Sequence, residues 1–168
     1  MKIAALFALT VALAASPAFA QDAAPACPAL PAELAGWTSG TPLAAAATPT
    51  GLARALVKIG NRTDLALAPT ADVSFATTPN KAPAPDTHSG MAIFTIGTGG
   101  TYRVALGTSA WINVVHDGKF LSSTAHTHKL GCAGVRKLID FALTPGNYVL
   151  QIEGGRDAVA GLLIARLP

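Results

Sequence analysis

The second half of the chain alternates. The runs "MAIFTIG" (91–97), "TYRVALG" (101–107), "SAWINVVH" (109–116) and "YVLQIEG" (148–154) return apolar residues at nearly every second position. That is the period of a strand with one buried face. Turn residues separate the runs: "TGG" (98–100), Asp117–Gly118, "TPGN" (144–147) and "GRD" (155–157). "VRKLIDFAL" (135–143) and "AVAGLLIARL" (158–167) predict two more strands. Turn signals recur about every 8–12 residues, the spacing of a sandwich or barrel. Glycine and threonine interrupt this half too often for long helices. The pattern therefore predicts an all-β fold, an antiparallel β-sandwich of jelly-roll-like form with roughly eight to ten strands.

Asp117–Gly118 between two apolar runs is the strongest short hairpin signal in the chain. A two-residue turn there pairs His116 with Lys119, and "KFLSSTA" (119–125) returns as the second strand. The same register carried onward sets His126 opposite Ser109, with His116 about seven positions away, or ~23 Å. The strand entries "GGTYRVAL" and "PGNYVLQI" echo each other. In each, glycine permits the turn and a tyrosine packs with its hydroxyl at the rim.

Upstream the pattern is weaker. "ARALVKIG" alternates loosely up to the turn "NRTD", then "LALAP" and "DVSFAT" follow as short apolar pieces. "TPNKAPAPDTHSG" (78–90) reads as a Pro-rich surface loop that carries Asp86 and His88. Residues 21–50, rich in alanine and proline, read as an extended N-terminal arm with Trp37 packed on the core. Residues 1–20 carry Lys2, an apolar run from Ile3 to about Ala15, Pro17 and then "AFA" ending at Ala20. This order predicts a secretory signal peptide cleaved after Ala20. The run is too short to span a bilayer, which takes roughly 20 residues. The expected organisation is thus 1–20 signal peptide, 21–50 arm and 51–168 β-sandwich, in a periplasmic or secreted protein with no transmembrane segment after signal removal.

Charge changes the picture only by exclusion. Loss of Lys2 takes the formal net charge from +3 to +2. The basic residues stand singly apart from Arg136–Lys137, so the clustered basic face of a nucleic-acid binder is missing. The two cysteines, Cys27 and Cys132, lie outside any CxxC pair. In an exported protein they predict one disulfide. It would close about 105 residues and contribute up to ~4–5 kcal/mol in the chain-entropy account. "AAPAC" lacks the leucine expected three residues before a lipidated cysteine.

The segments "GTYRVALGTSAWINVVHDGKFLSS" and "GCAGVRKLIDFALTPGNYVLQI" resemble a group of small exported bacterial proteins with a signal peptide and a β-sandwich body. The resemblance covers roughly residues 90–167. Proteins of this look sometimes carry the label homogentisate 1,2-dioxygenase, which implies a mononuclear iron oxygenase. It brings no established catalytic residues to these positions.

Candidate chemistry is sparse. "SSTAHTHKLGC" (122–132) places His126 and His128 two residues apart, on one face if extended. A non-haem iron site needs two histidines, a carboxylate and open positions, so this pair is half a site. Asp140 in "KLIDFAL" is an acid in an apolar strand, able to point into a site but expected first to pair with Arg136 or Lys137 or to point outward. There is no G-x-S-x-G nucleophile motif, and Ser122 and Ser123 form no nucleophile–base signature with the histidines. "GTGGTY" joins two strands, unlike a phosphate cradle. "NRT" (61–63) is a glycosylation acceptor only on a eukaryotic export route.

The sequence-level reading is therefore a small exported binding or accessory module without catalysis or cofactor. Its partner would be a small molecule or a cell-envelope component. Trp111, Tyr102 and Tyr148 are the candidate ligand face, although the apolar neighbours of Trp111 also suit a core residue. The alternative is a metal-dependent enzyme, an oxygenase, with a transition metal at His126 and His128.

Overall fold

The computed structural model describes residues 30–128 and 133–168. Eleven strands are present among them: β1 (Thr41–Ala44), β2 (Thr63–Ala66), β3 (Ala68–Pro69), β4 (His88–Ile96), β5 (Gly100–Leu106), β6 (Trp111–His116), β7 (Lys119–Phe120), β8 (Ala125–His128), β9 (Lys137–Leu143), β10 (Gly146–Gly155) and β11 (Val159–Arg166). They form a six-stranded sheet in the order β1-β2-β11-β5-β9-β8 and a five-stranded sheet in the order β3-β4-β10-β6-β7. All pairings between these strands are antiparallel except β1 with β2. The chain is an all-β sandwich, as its alternation predicts.

Strand alternation builds the interior. Tyr148, Leu150 and Ile152 of β10 meet Tyr102, Val104 and Leu106 of β5 and Ala160, Leu162 and Ile164 of β11 in one buried cluster. The intervening residues Leu163 and Ala165 of β11, Ala105 of β5 and Leu138 of β9 form a second cluster with Leu34 and Trp37. β11 is apolar on both faces for this reason: one faces the opposite sheet and the other is covered by an N-terminal 3₁₀ helix, Ala32–Trp37.

Within the Ala/Pro-rich stretch, the described residues are woven into the sandwich. β1 adds a sixth strand, and Ala46 bridges to Met91 of β4. Trp37 is buried, donates its Nε1–H to the Ala133 carbonyl at 2.7 Å and lies under the Arg62 guanidinium. Gly36 is required at this contact, because a Cβ there would lie 2.1 Å from the Gly60 carbonyl oxygen. Arg103 of β5 completes the attachment. It makes a two-pronged bond to Asp140, both prongs at 2.8 Å, and a third bond to Glu33 at 2.5 Å. The hydrogen bond to Asp140 leads the causes that raise the Arg103 pKa above its ordinary value, against the lowering effect of burial. Asp140 is thus the partner of Arg103, the residue directly opposite it on β5, and not of Arg136 or Lys137.

The Asp117–Gly118 hairpin has the expected register, His116 with Lys119, and both turn residues have positive φ (49° and 72°). The returning strand is far shorter than "KFLSSTA" suggests. β7 ends at Phe120, and Thr124 then bonds through its backbone N–H and its Oγ1 to the Asp140 carbonyl in the other sheet. That capture starts β8, so His126 lies opposite Ile139 and not opposite Ser109. The two echoing strand entries prove equivalent in detail. The Tyr102 hydroxyl donates to the Thr98 carbonyl at 2.7 Å, and the Tyr148 hydroxyl donates to the Thr144 carbonyl at 2.8 Å. Each tyrosine ties its strand to the turn four residues upstream. Among the described residues no helix is long and apolar enough to cross a membrane. The expected signal peptide and both cysteines lie outside the described residues.

Candidate functional site

The outer face of the five-stranded sheet carries a polar row. On β10, alternation turns Gln151 and Glu153 away from the interior that Leu150 and Ile152 fill. Their cross-strand partners on β6 are Asn113 and Trp111. Asn113 Nδ2 donates to Glu153 Oε1 at 2.9 Å, and Gln151 Nε2 donates to the same oxygen at 3.1 Å. Trp111 Nε1 donates in turn to Asn113 Oδ1 at 3.3 Å. Cross-strand polar pairs of this kind fix side-chain directions on a sheet face.

The Pro-rich loop straps across this row. At one end Thr77 grips Gln151 twice, with its N–H to Oε1 at 2.8 Å and its carbonyl oxygen accepting from Nε2 at 3.0 Å. At the other end Thr87 and Ser89 share the Thr70 hydroxyl, and Ser89 Oγ accepts from the Gly154 N–H. Pro83 sits directly over Gly154, where an added Cβ would lie 3.3 Å from its own. Prolines suit such a strap, since they need no partner for a missing N–H and lose little entropy on ordering.

Between the strap and the sheet lies a groove of about 590 Å³, within the range of roughly 300–1,000 Å³ common for small-molecule sites. Asn80, Lys81 and Pro83 of the strap line it, together with Ser109, Trp111 and the buried Glu153. Trp111 is 64% exposed, whereas Glu153 is 5% exposed. The carboxyl group is thus held at the groove floor by two amide donors, and no cation bonds to it among the described residues.

Lys137, from β9 of the other sheet, supports the tryptophan. Its Nζ donates to the Ala110 carbonyl at 2.6 Å and lies 5.5 Å from the Trp111 ring centroid. Burial lowers its pKa below the ordinary 10.5. A base with a lowered folded pKa holds fewer protons than the unfolded chain over the interval up to 10.5, so stability rises with pH there. Wild type should therefore gain on Lys137→Met as pH is raised from neutral toward 10.5, measured as the difference in urea midpoint. A difference that stays constant would show the amine to be solvated.

The structure does not bring the three aromatic candidates together. Tyr102 and Tyr148 are buried, on different sheets, with their hydroxyls committed to backbone carbonyls. Only Trp111 presents a surface. It is an outward residue, not the core residue its apolar neighbours suggest, because Ile112 and Val114 take the inward positions of β6.

His126 and His128 sit on β8, an edge strand, opposite Ile139 and Lys137. The segment is extended, as a shared face requires, and His126 is exposed. His116 is in the other sheet, stacked on Tyr148 at 4.5 Å and bonded through Nδ1 to the Asn147 carbonyl. Among the described residues no three His, Cys, Asp or Glu side chains group closely enough to hold a metal ion.

The chain matches no family model and no curated protein. The site must therefore be judged by its own chemistry.

Glu153, Asn113 and Lys81 escape a reading of sequence motifs because they form no spaced motif. One signal was present. In "YVLQIEG", Gln151 and Glu153 stand two apart in an otherwise apolar run, which marks a polar stripe on one face of that strand.

Proposed function

We propose that the protein is an exported, non-catalytic binding module whose ligand site is the Trp111 groove. The observation that carries this reading is the exposed indole beside a buried, amide-held carboxyl group. A large apolar ring left open to solvent at a groove is a standard anchor for recognition. The expected signal peptide supports export. Absence of catalysis is supported by the donor set: Glu153 is the single acid among the groove residues, and Ser109 has no histidine beside it there. A pair of carboxyl groups, or a serine with its base, would need a second acid or a histidine at the groove.

Trp111→Ala provides the test. Because the side chain is largely solvated, the substitution should change stability by no more than about 0.5 kcal/mol. Thermal-shift screening of a metabolite and envelope-fragment library should yield compounds that raise the wild-type Tm and leave that of Trp111→Ala unmoved. A library whose stabilising compounds act equally on both proteins, or that yields none, would refute the assignment.

A further inference from the structure

We infer that the groove takes a neutral saccharide, with one pyranose ring stacked on Trp111 and its hydroxyl groups turned to Glu153 and Asn113. This inference rests on the binding-module reading and specifies its ligand. Three features of the site select this class.

The first is the pairing of surfaces. A pyranose has an apolar face of C–H groups and a rim of hydroxyls, so it needs a flat apolar platform bordered by fixed acceptors and donors. Trp111 is the one aromatic residue lining the groove, and Pro83 of the strap offers an aliphatic surface across from it. Glu153 Oε1 is fixed by Asn113 and Gln151, which leaves Oε2 and the second Asn113 Nδ2 hydrogen for a ligand. A carboxyl oxygen as acceptor makes stronger bonds to hydroxyl groups than a neutral acceptor does.

The second feature is charge. One acid, Glu153, and one base, Lys81, line the groove, so their formal charges cancel. A phosphorylated ligand would meet Glu153 at the floor. A quaternary amine on the indole would face the like charge of Lys137, whose Nζ lies 5.5 Å from the ring centroid. A neutral polyhydroxyl ring meets neither obstacle.

The third is preorganisation. The bonds Thr77–Gln151–Glu153–Asn113–Trp111 form one continuous chain from strap to platform. Side chains already locked before binding lose little rotamer entropy when a ligand arrives. Sugars bind weakly because their hydroxyls give up bonds to water, so this saving matters for them.

The experiment titrates the mature chain with maltotriose, cellotriose, xylotriose and chitotriose, followed by tryptophan fluorescence and calorimetry. Because Trp37 is buried under Arg62, a spectral change on binding reports Trp111. At least one saccharide should bind at millimolar concentration or better. Trp111→Ala should weaken it by about tenfold or more, the usual loss for a tryptophan anchor. Glu153→Gln keeps the shape and the amide bonds while removing the acidic acceptor, and should weaken the same ligand severalfold with a Tm close to wild type. Saccharide binding that survives Trp111→Ala unchanged, or no binding by any of these probes, overturns the inference. Trp111-dependent stabilisation by phosphorylated, cationic or aromatic library compounds, with no saccharide bound, would leave the binding module standing and reject the saccharide. Loss of Trp111 dependence for every ligand class would reject both.

Discussion

Replacing Phe94 with alanine should remove about 3–5 kcal/mol of stability, the usual cost of emptying a large aromatic site in a core. Phe94 is fully buried on β4, directly opposite Tyr148 of β10, and the two rings stack with centroids 5.4 Å apart. Tyr148 is in turn the ring on which His116 of β6 stacks, so Phe94 ends an aromatic column across three neighbouring strands. Truncation leaves a cavity beside Tyr148 and removes the stacking term, worth about 0.5–1.5 kcal/mol beyond area burial. For a domain near 150 residues this corresponds to a fall in Tm of roughly 6–20 °C. Phe94→Leu fills most of the volume and should lose well under half as much. A loss below about 1 kcal/mol for the alanine variant would show that the sheets can close over the gap, contrary to the close packing of such interiors.

Arg103→Met should be nearly as damaging, for a different reason. Its three hydrogen bonds neutralise Asp140 and Glu33, whose side chains are only 9% and 15% exposed. Removing the guanidinium leaves two carboxyl groups in a half-buried site without a cation. Breaking one side of such a pair costs several kcal/mol because the remaining charge stays desolvated. Arg103 is itself 21% exposed, which admits some water, so the expected loss is about 2–4 kcal/mol. The 3₁₀ helix bearing Glu33 should loosen as well, and the emission of buried Trp37 should move to longer wavelength before global unfolding. Adding Asp140→Leu to Arg103→Met should restore more than half of the lost stability, since an apolar pair needs no solvation. If the double variant is no better than the single, the ion pair is not the source of the loss.

Much of the architecture could be read from period alone. β4, β5, β6, β9 and β10 fall where the patterned runs lie, because a strand with one wet face alternates, and β11 falls on the apolar run "AVAGLLIARL". The hairpin at Asp117–Gly118 was equally legible, since few residues tolerate two successive positive φ angles. β1, β2 and β3 were not. They are two to four residues long, and their pairing depends on distant strands with no local signature. The site was the least legible part. The alternation in "SAWINVVH" puts Trp111 and Asn113 on one face but does not say which face is wet.

By itself, then, the sequence determined a β-rich chain, its main turns and its tyrosine-anchored strand entries. All of these follow from interactions among near neighbours, or from a burial demand that every residue in a run shares. Tertiary structure alone decided that Arg103 answers Asp140, that Thr124 carries the chain to the second sheet, and that the strap meets Gln151. It also decided that Trp111 faces outward beside Glu153. The physical reason is separation along the chain. Each of these contacts joins residues at least sixteen positions apart, and its partners are chosen by sheet order and register, which no local pattern encodes.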